Sequence, residues 1–322
     1  MKIENKSILV SGGAGFIGSH LVDRLISENP KKIVVVDNFF LGKTQNLDEA
    51  KKNFGDLKIY NENAANEKRM EKIINGNDID VVINPAVIPL PVSFKRPKWT
   101  YEQNIAIVMA ACELLRKGLF DTLIHFSSAE VYGTAKYVPM DEDHPLHPTT
   151  PYAASKVSCD MLATSYQKVF GLDVSIVRPF NNFGPRQNEK SYSAVIPTTI
   201  KRILNGKAPV VYGDGKQTRD YIYVTDTADA IARIYKSNKR KGKIINIANG
   251  KEVEIGKLIG MIANIMNCNK KIKHEKPRPS DVRRHLADTT LAKKLINLKP
   301  KVSLEEGLKN TVEWYCERLG RT

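Results

Sequence analysis

The sequence has no long uninterrupted apolar run. Its most apolar later segment, residues 81–92, is broken by Asn84 and by three prolines, so it cannot cross a bilayer as a helix. Residues 1–6 are mostly polar and lead directly into a short strand-like segment, which is unlike a secretory signal. We therefore expect a soluble cytoplasmic protein with no membrane partner.

Cysteine is scarce, with four residues in a chain of 322. Cys112, Cys159, Cys268 and Cys316 are far apart, and no two have the spacing of metal ligands. Reduced thiols are the expectation, with no metal site and no disulfide framework. We also find no internal repeat and no low-complexity segment.

Acidic residues are too few to balance the basic ones. There are 35 acidic and 50 basic residues, which leaves a net charge of +15. Much of the excess lies in residues 236–243 and 270–284. We find no basic repeat interleaved with aromatic residues and no recognisable nucleic-acid-binding module. We expect a solvated basic face and no nucleic-acid partner, although a few cations could attract a diphosphate.

What the chain does have begins with a glycine-rich turn. An apolar strand over residues 7–11 precedes the turn at 12–18, and helical spacing follows to about residue 28. A second strand over 33–37 ends at Asp37. This order indicates a dinucleotide site, in which glycines let the backbone approach a pyrophosphate at a helix N-terminus. Asp37 would repel a 2′-phosphate, and no arginine follows it closely, so NAD is favoured over NADP.

The alternation of strand and helix continues, which predicts an α/β fold with a doubly wound parallel sheet. Further strands are predicted at 57–60, 80–84, 122–127 and 174–178, and helices at 66–74, 99–116 and 152–170.

The composition changes after Pro179. We expect turn-rich loops at 181–186 and 213–220, helices at 196–204 and 223–235, strands at 210–212 and 243–248, and a helical tail broken at 277–281. The predicted domains are an NAD-binding Rossmann domain over 1–179 plus about 224–248, and a smaller α/β nucleotide-sugar-binding domain over 180–223 and 249–322.

Tyr152 and Lys156 are four residues apart in a predicted helix, and so lie on one face. An ammonium beside a phenol favours the phenolate, which would lower the pKa of Tyr152 and make it a proton acceptor. Alone, this spacing could be chance on a solvated helix face. Residues 127–130, Ser-Ser-Ala-Glu, and the distant glycine-rich turn favour one catalytic site instead.

Together these segments resemble the extended short-chain dehydrogenase/reductases that act on nucleotide sugars, over nearly the whole chain. The resemblance rests on Gly12-x-x-Gly15-x-x-Gly18, Asp37-Asn38, Ser127-Ser128-x-x-Val131-Tyr132-Gly133, Tyr152-x-x-x-Lys156, Arg178-Pro179-Phe180-Asn181, Gly184-Pro185 and Gly213-Asp214-Gly215-x-Gln217-x-Arg219-Asp220-Tyr221.

The resemblance implies NAD as cofactor, a nucleotide-sugar substrate and a homodimer, and it assigns roles to residues. The implied catalytic residues are Ser128, Glu130, Tyr152 and Lys156. The implied cofactor-binding residues are Gly12, Gly15, Phe16, Ile17, Gly18, Asp37, Asn38, Asn63, Ala86, Tyr152 and Lys156. The implied residues at the substrate diphosphate and ribose are Asn181, Arg219 and Arg278. Two of these have simpler interpretations: Arg219 could form a surface ion pair with Asp220, and Asn181 could be a turn residue.

The sequence departs from the family pattern after the fourth strand. Residues 84–87 read Asn-Pro-Ala-Val where the family often has His-Leu-Ala-Ala. The next segment, 88–93, is proline-rich, so we expect it to be stiff and to reshape the wall near the nicotinamide.

The reaction depends on Glu130. In this family the implied first step is oxidation at C4 of the sugar, and dehydratases carry an acid two residues after the conserved Ser/Thr. Glu130 occupies that place after Ser128 and favours a 4,6-dehydratase, but Ala129 cannot supply the second acid found in many dehydratases. Glu130 could also be a carboxylate satisfied by backbone donors in a turn.

Several other functions stay open. The resemblance is strongest to GDP-N-acetylglucosamine 4,6-dehydratases of bacterial legionaminic acid synthesis, with GDP only weakly favoured over other nucleotides. A 4-epimerase and a non-catalytic NAD-binding protein are the alternatives. Oxidative decarboxylation of a UDP-glucuronate would need an arginine for the carboxylate, which we cannot identify.

The expected homodimer would form through two helices of each subunit. The helices at 99–116 and 151–170 should carry apolar stripes that face away from the sheet, formed by Ile105, Val108, Cys112, Leu115, Cys159, Leu162 and Tyr166.

Overall fold

A computed structural model describes residues 1–188, 194–278 and 281–319. In chain order its strands are β1 (Ser7–Ser11), β2 (Lys32–Asp37), β3 (Leu57–Asn61), β4 (Val81–Asn84), β5 (Thr122–Phe126), β6 (Val174–Pro179), β7 (Asn181–Phe183), β8 (Val210–Tyr212), β9 (Thr218–Tyr223), β10 (Ile244–Ile247), β11 (Glu252–Glu254) and β12 (Lys273–Glu275).

The helices surround these strands. In chain order they are α1 (Phe16–Ile26), α2 (Asp48–Asn53), α3 (Glu67–Asn75), α4 (Leu90–Ser93), α5 (Pro97–Arg116), α6 (Pro151–Phe170), α7 (Val195–Leu204), α8 (Val224–Lys236), α9 (Ile255–Ile265), α10 (Thr290–Ile296) and α11 (Leu304–Arg318), with 3₁₀ turns at Thr44–Leu47 and Ala129–Tyr132.

Seven strands form one parallel sheet in the order β3-β2-β1-β4-β5-β6-β10. All five residues of β1 are buried, as expected for a strand with helices on both faces. The doubly wound α/β prediction is confirmed. The strand order reverses between β1 and β4, which is where such sheets open a crevice for a ligand.

Alternate residues of the strands pack into two different cores. Ile8 and Val10 of β1 contact the side of the sheet that α1, α8 and α10 cover, while Leu9 faces α3, α5 and α6. A third core lies around β7 and β9, between α7, α9 and α11. The predicted division of the chain into two domains stays a prediction.

Short strands replace two predicted loops. Residues 181–183 were expected in a turn-rich loop but form β7, and residues 218–220 of the second expected loop belong to β9. β9 lies between β7 and β11 in a three-stranded sheet, and β8 pairs with β12. These strands exist because distant segments pair, which no local sequence pattern reveals. Of the break predicted at 277–281, residues 279–280 lie outside the described residues.

The predicted dimer stripes are largely wrong. Val108, Cys112 and Leu115 of α5 and Cys159 of α6 are buried against the sheet, because these positions face the strands. Different apolar side chains on these two helices are exposed, namely Tyr101, Met109, Met161, Val169 and Phe170.

Within the described ranges, no helix has the length and apolar character needed to traverse a lipid bilayer.

Two glycines with left-handed backbone allow a matched stability test. Gly133 (φ 64°) follows the 3₁₀ turn at Ala129–Tyr132, and a Cβ there would overlap the carbonyl oxygen of His147. Gly118 (φ 74°) has open space around the same position. We predict that Gly118→Ala lowers the free energy of unfolding by about 1–2 kcal/mol through backbone strain alone. Gly133→Ala should lose about 1–3 kcal/mol more, through the clash and because its ψ of −150° is nearly restricted to glycine.

Urea denaturation of both variants measures this difference. If both variants lost the same free energy of unfolding, the expected clash at Gly133 would be contradicted, because the turn would have shifted to relieve it.

Candidate active site

A cavity of about 550 Å³ opens where the strand order of the main sheet reverses, and it extends to the three-stranded sheet. All the predicted site residues except Lys156 line it: Gly12, Gly15, Phe16, Ile17, Gly18, Asp37, Asn38, Asn63, Ala86, Ser128, Glu130, Tyr152, Asn181, Arg219 and Arg278. The fold therefore brings segments from the whole chain to one space.

The glycine-rich turn fits a dinucleotide pyrophosphate. Gly12 has φ 65°, and a Cβ there would lie 2.8 Å from the Cα of Ala86, so a side chain would close this part of the cavity. A Cβ on Gly18 would overlap the carbonyl oxygen of Gly12. Gly15 caps α1 without a side-chain hydrogen bond. The first N–H groups of α1 are therefore available to an anion.

The Asp37 carboxylate stabilises the glycine-rich turn and the loop after β2 by accepting backbone hydrogen bonds. The donors are the backbone N–H groups of Ala14 (3.0 Å) and Phe39 (2.8 Å). Burial raises the pKa of this carboxyl, and the backbone donors oppose that shift. A carboxylate has about four acceptor positions, so capacity for the ribose hydroxyls predicted here remains.

At the far end of the cavity, Asn63 is held in place from two sides. Its amide oxygen accepts from Ala65 N (3.0 Å), and its amide nitrogen donates to Gln103 Oε1 of α5 (3.1 Å). Gln103 also lines the cavity and was missed, because a glutamine in a long helix carries no motif.

Tyr152 lies in the first turn of α6, where Thr150 accepts from Ala153 N and caps the helix. Its phenol is hydrogen-bonded to the Ser128 hydroxyl, and burial raises its pKa above the ordinary value despite that bond. Lys156, by contrast, donates to the carbonyl oxygen of Phe126. The expected lowering of the Tyr152 pKa by Lys156 is therefore wrong for this structure, because burial dominates and the ammonium is engaged elsewhere.

A buried polar network behind the site was missed from the sequence. Asp160 Oδ2 accepts from Ser127 Oγ at 2.9 Å and from Arg178 Nε and Nη2 at 3.0 Å each. Arg178 also donates to the Tyr132 hydroxyl (2.9 Å). Asp160 follows Lys156 by one helical turn, and that spacing, together with the Arg178 motif, was the available signal.

Glu130 is placed in the cavity by the Ser128 cap. Ser128 Oγ accepts from Glu130 N at 3.2 Å, which begins the 3₁₀ turn. Burial raises the pKa of the Glu130 carboxyl, the Arg219 guanidinium opposes this, and Asp281 adds to it. Among described residues no backbone N–H donates to that carboxylate, so the interpretation of Glu130 as a turn-satisfied carboxylate gains no support.

Arg219 does not pair with Asp220. Its guanidinium binds Asp281 (2.6 Å) and donates to the carbonyl oxygen of Val282 (2.6 Å). Asp220 points away and accepts from the N–H groups of Asn249 (3.0 Å) and Gly250 (2.9 Å). The simple surface-pair interpretation is wrong because alternate residues of a strand face opposite sides, and Arg219 and Asp220 are consecutive in β9.

The other two predicted substrate residues lie on the same side of the cavity. Asn181 is in β7 and not in a turn, and its amide donates to the carbonyl oxygen of Asp220 at 3.3 Å. The Arg278 guanidinium lies 4.2 Å from the centroid of the Tyr212 ring at the exposed rim. Cationic and amide donors at this end suit a diphosphate.

The known proteins that this chain is similar to are all named as nucleotide-sugar epimerases or dehydratases in the following comparisons. The family model for GDP-mannose 4,6 dehydratase matches residues 9–311. A putative UDP-glucose 4-epimerase of Methanocaldococcus jannaschii is 35% identical over 95% of this chain and 97% of its own. The solved UDP-N-acetylglucosamine 4-epimerase of Methanobrevibacter ruminantium is 36% identical, with a TM-score of 0.90 over 98% and 99% of the chains. The dTDP-glucose 4,6-dehydratase of Bacillus anthracis, solved with NAD, is 30% identical, with a TM-score of 0.88 over 98% of each chain.

Ser127 and Ser128 give a matched pair of substitutions. Ser128→Ala removes the hydroxyl that contacts Tyr152, and we expect turnover to fall about 10²–10³-fold with a small loss of stability. Ser127→Ala removes a donor to buried Asp160, and we expect a loss of about 1–3 kcal/mol in unfolding free energy with most turnover retained. Steady-state kinetics and urea denaturation of both variants test this. The reverse pattern would move the catalytic hydroxyl to Ser127.

Proposed function

The chain belongs to the family of NAD-dependent nucleotide-sugar epimerases and dehydratases, and from that premise we propose that it is a nucleotide-sugar 4,6-dehydratase. The observation that carries the proposal is Glu130, a carboxyl inside the cavity beside Ser128 and Tyr152. Inversion at C4 needs no acid–base group at that place, whereas loss of water needs a base for C5 and an acid for the C6 hydroxyl.

The first step belongs to Tyr152 and Ser128. Ser128 is hydrogen-bonded to the Tyr152 phenol, so the two side chains can share the sugar 4-hydroxyl. Tyr152 takes the proton of that hydroxyl in its phenolate form, which the Ser128 hydrogen bond favours and burial opposes. NAD, held by the glycine-rich turn and Asp37, would supply the acceptor for the C4 hydride. For the product to balance, that hydride would return to C6 after water has left, and C5 would regain a proton from solvent. The ketone formed at C4 makes the C5 proton acidic.

Glu130 then serves twice. It takes the C5 proton and passes it to the C6 hydroxyl, which leaves as water, because Ala129 has no proton to give. Burial raises the pKa of Glu130, so its protonated form is more stable than in an exposed glutamate. Arg219 keeps the ionised form accessible. Burial favours the form of Glu130 that donates a proton and Arg219 favours the form that accepts one, and the reaction uses both forms in turn.

For the substrate we propose a nucleoside diphosphate N-acetylglucosamine. GDP is the first nucleotide to test, since the matching family model is that of GDP-mannose 4,6 dehydratase. The solved relatives are described with UDP or dTDP sugars, so these belong in the same test.

The second candidate is a 4-epimerase. Two observations favour it: Ala129 supplies no separate acid, and the relatives at 35% and 36% identity are described as 4-epimerases. The same Ser128 and Tyr152 chemistry would act, and Glu130 would only hold the sugar.

The test pairs a substrate panel with Glu130→Gln, which keeps the shape and removes the base. The parent protein is incubated with GDP- and UDP-linked N-acetylglucosamine, glucose and mannose, and mass spectrometry follows the loss of one water. We expect one substrate to lose water, and Glu130→Gln to reduce that rate about 10²–10⁴-fold. Oxidation at C4 in a single turnover should survive, because Ser128 and Tyr152 are unchanged.

Glu142→Gln is the matched control. Glu142 is also a carboxyl with a pKa raised by partial burial, but it accepts from Asn246 N and does not line the cavity. This variant should dehydrate like the parent. Dehydration by Glu130→Gln within a few-fold of the parent would make Glu130 structural, and C4 inversion without loss of water in the parent would establish the epimerase instead.

We also propose that the protein is a homodimer that pairs α5 and α6 of each subunit. The support is the set of apolar side chains that these helices leave exposed, with Met161 48% and Val169 71% exposed. Two helices from each subunit would bury them in a twofold four-helix contact.

Met161→Lys tests the dimer against a control. A charge at the centre of an apolar interface should raise the dissociation constant at least tenfold, whereas Leu319→Lys, on an exposed residue after α11, should leave it unchanged. Light scattering at micromolar concentration measures the mass of each. A monomeric parent, or equal behaviour of the two variants, would contradict the proposed interface.

A further inference from the structure

The loop after β2 projects an aromatic side chain over the cavity. Phe39 has φ 55°, an unusual value for a residue with a side chain, and the next residue, Phe40, is 39% exposed. The loop is anchored beyond this point, because Lys43 N and Asn46 Nδ2 both donate to the carbonyl oxygen of Ala14. Phe40 is therefore held at a fixed place on the rim, and it lines the cavity.

Phe40 meets an aromatic residue from the opposite side. The rings of Phe40 and Trp99 are 5.4 Å apart at 65°, an edge-to-face contact. The Arg96 guanidinium lies 4.0 Å from the centroid of the Trp99 ring on its other side.

The contact lies beside one end of the cavity. Trp99 does not itself line the cavity, but it precedes the lining residue Gln103 by one turn of α5, and Gln103 holds Asn63 at the end where the adenine is expected. Phe40 lines the cavity and follows Asp37 and Asn38, where the adenosine ribose is expected. Trp99 therefore supports Phe40 at that end through the ring contact.

We propose that Phe40 and Trp99 form a strap that closes over the adenosine half of NAD and slows its release. This inference rests on the proposed function, in which the cofactor is regenerated in each turnover and benefits from staying bound. Arg96 supports the strap by stacking on Trp99. The chemistry at Tyr152 and Glu130 lies at the other end of the cavity and does not depend on the strap.

Release of preloaded, radiolabelled NAD into excess unlabelled NAD is the measurement. We expect Trp99→Leu and Phe40→Leu each to speed release about threefold to tenfold, since each removes the aromatic contact. The double variant should release no faster than the single ones, because both changes remove the same contact. Trp99→Phe keeps an aromatic ring and should stay near the parent rate. Labelled ADP-ribose should show the same pattern, since it retains the adenosine half.

Fluorescence gives a second readout. Trp99 and Trp314 are the two tryptophans of the chain, and neither lines the cavity. Trp99 contacts the lining residue Phe40, whereas Trp314 packs with Tyr315 in α11. In Trp314→Phe, the emission of Trp99 alone should change when NAD binds. In Trp99→Phe, the change should be largely lost.

The outcomes separate this inference from the proposed function. A parent that binds no NAD by calorimetry overturns the proposed function itself. A parent that binds NAD, with Trp99→Leu releasing it within twofold of the parent rate, overturns only the strap. Multiplying effects in the double variant would also overturn it, because Phe40 and Trp99 would then act independently.

Discussion

The ion pair between Asp160 and Arg178 supports the candidate site from behind. Both side chains are fully buried, and the pair joins α6 to β6. Removing one partner of such a pair typically costs about 3–5 kcal/mol, because the other charge is left uncompensated. Ser127 and Tyr132 also bind this pair, and they flank the turn that presents Ser128 and Glu130. The position of Ser128 and Glu130 therefore depends on an ion pair whose residues do not line the cavity.

The main sheet provides the second constraint. Parallel strands all end at one edge, and the reversal of strand order between β1 and β4 separates their connections there. The close approach of Gly12 to Ala86 bridges that gap, and a side chain at Gly12 would close the cavity. The cofactor end is thus shaped by backbone. The substrate end is shaped by side chains from the smaller sheet, including Arg219 and Asp281.

Burial and charge act in opposite directions on the groups that move protons. Burial raises the pKa of both Tyr152 and Glu130, while the Ser128 hydroxyl and the Arg219 guanidinium respectively oppose those shifts. Burial lowers the pKa of Lys156, and the charges of Cys159 and Asp160 oppose that shift. Burial is thus the largest influence on the pKa of all three groups, and neighbours from several segments of the chain oppose it.

The sequence by itself determined the parallel α/β sheet and the glycine-rich turn, because both follow from local spacing along the chain. The set of residues that line one cavity came from the motifs that resemble a known family. Only the tertiary structure decided the partners of those residues. Arg219 binds Asp281 and not its neighbour Asp220, and Lys156 binds the Phe126 carbonyl and not Tyr152. The tertiary structure also decided where the small strands form and which faces of α5 and α6 are buried. Pairing between distant segments, and burial with its effect on charge, are properties of the packed chain that local spacing does not carry.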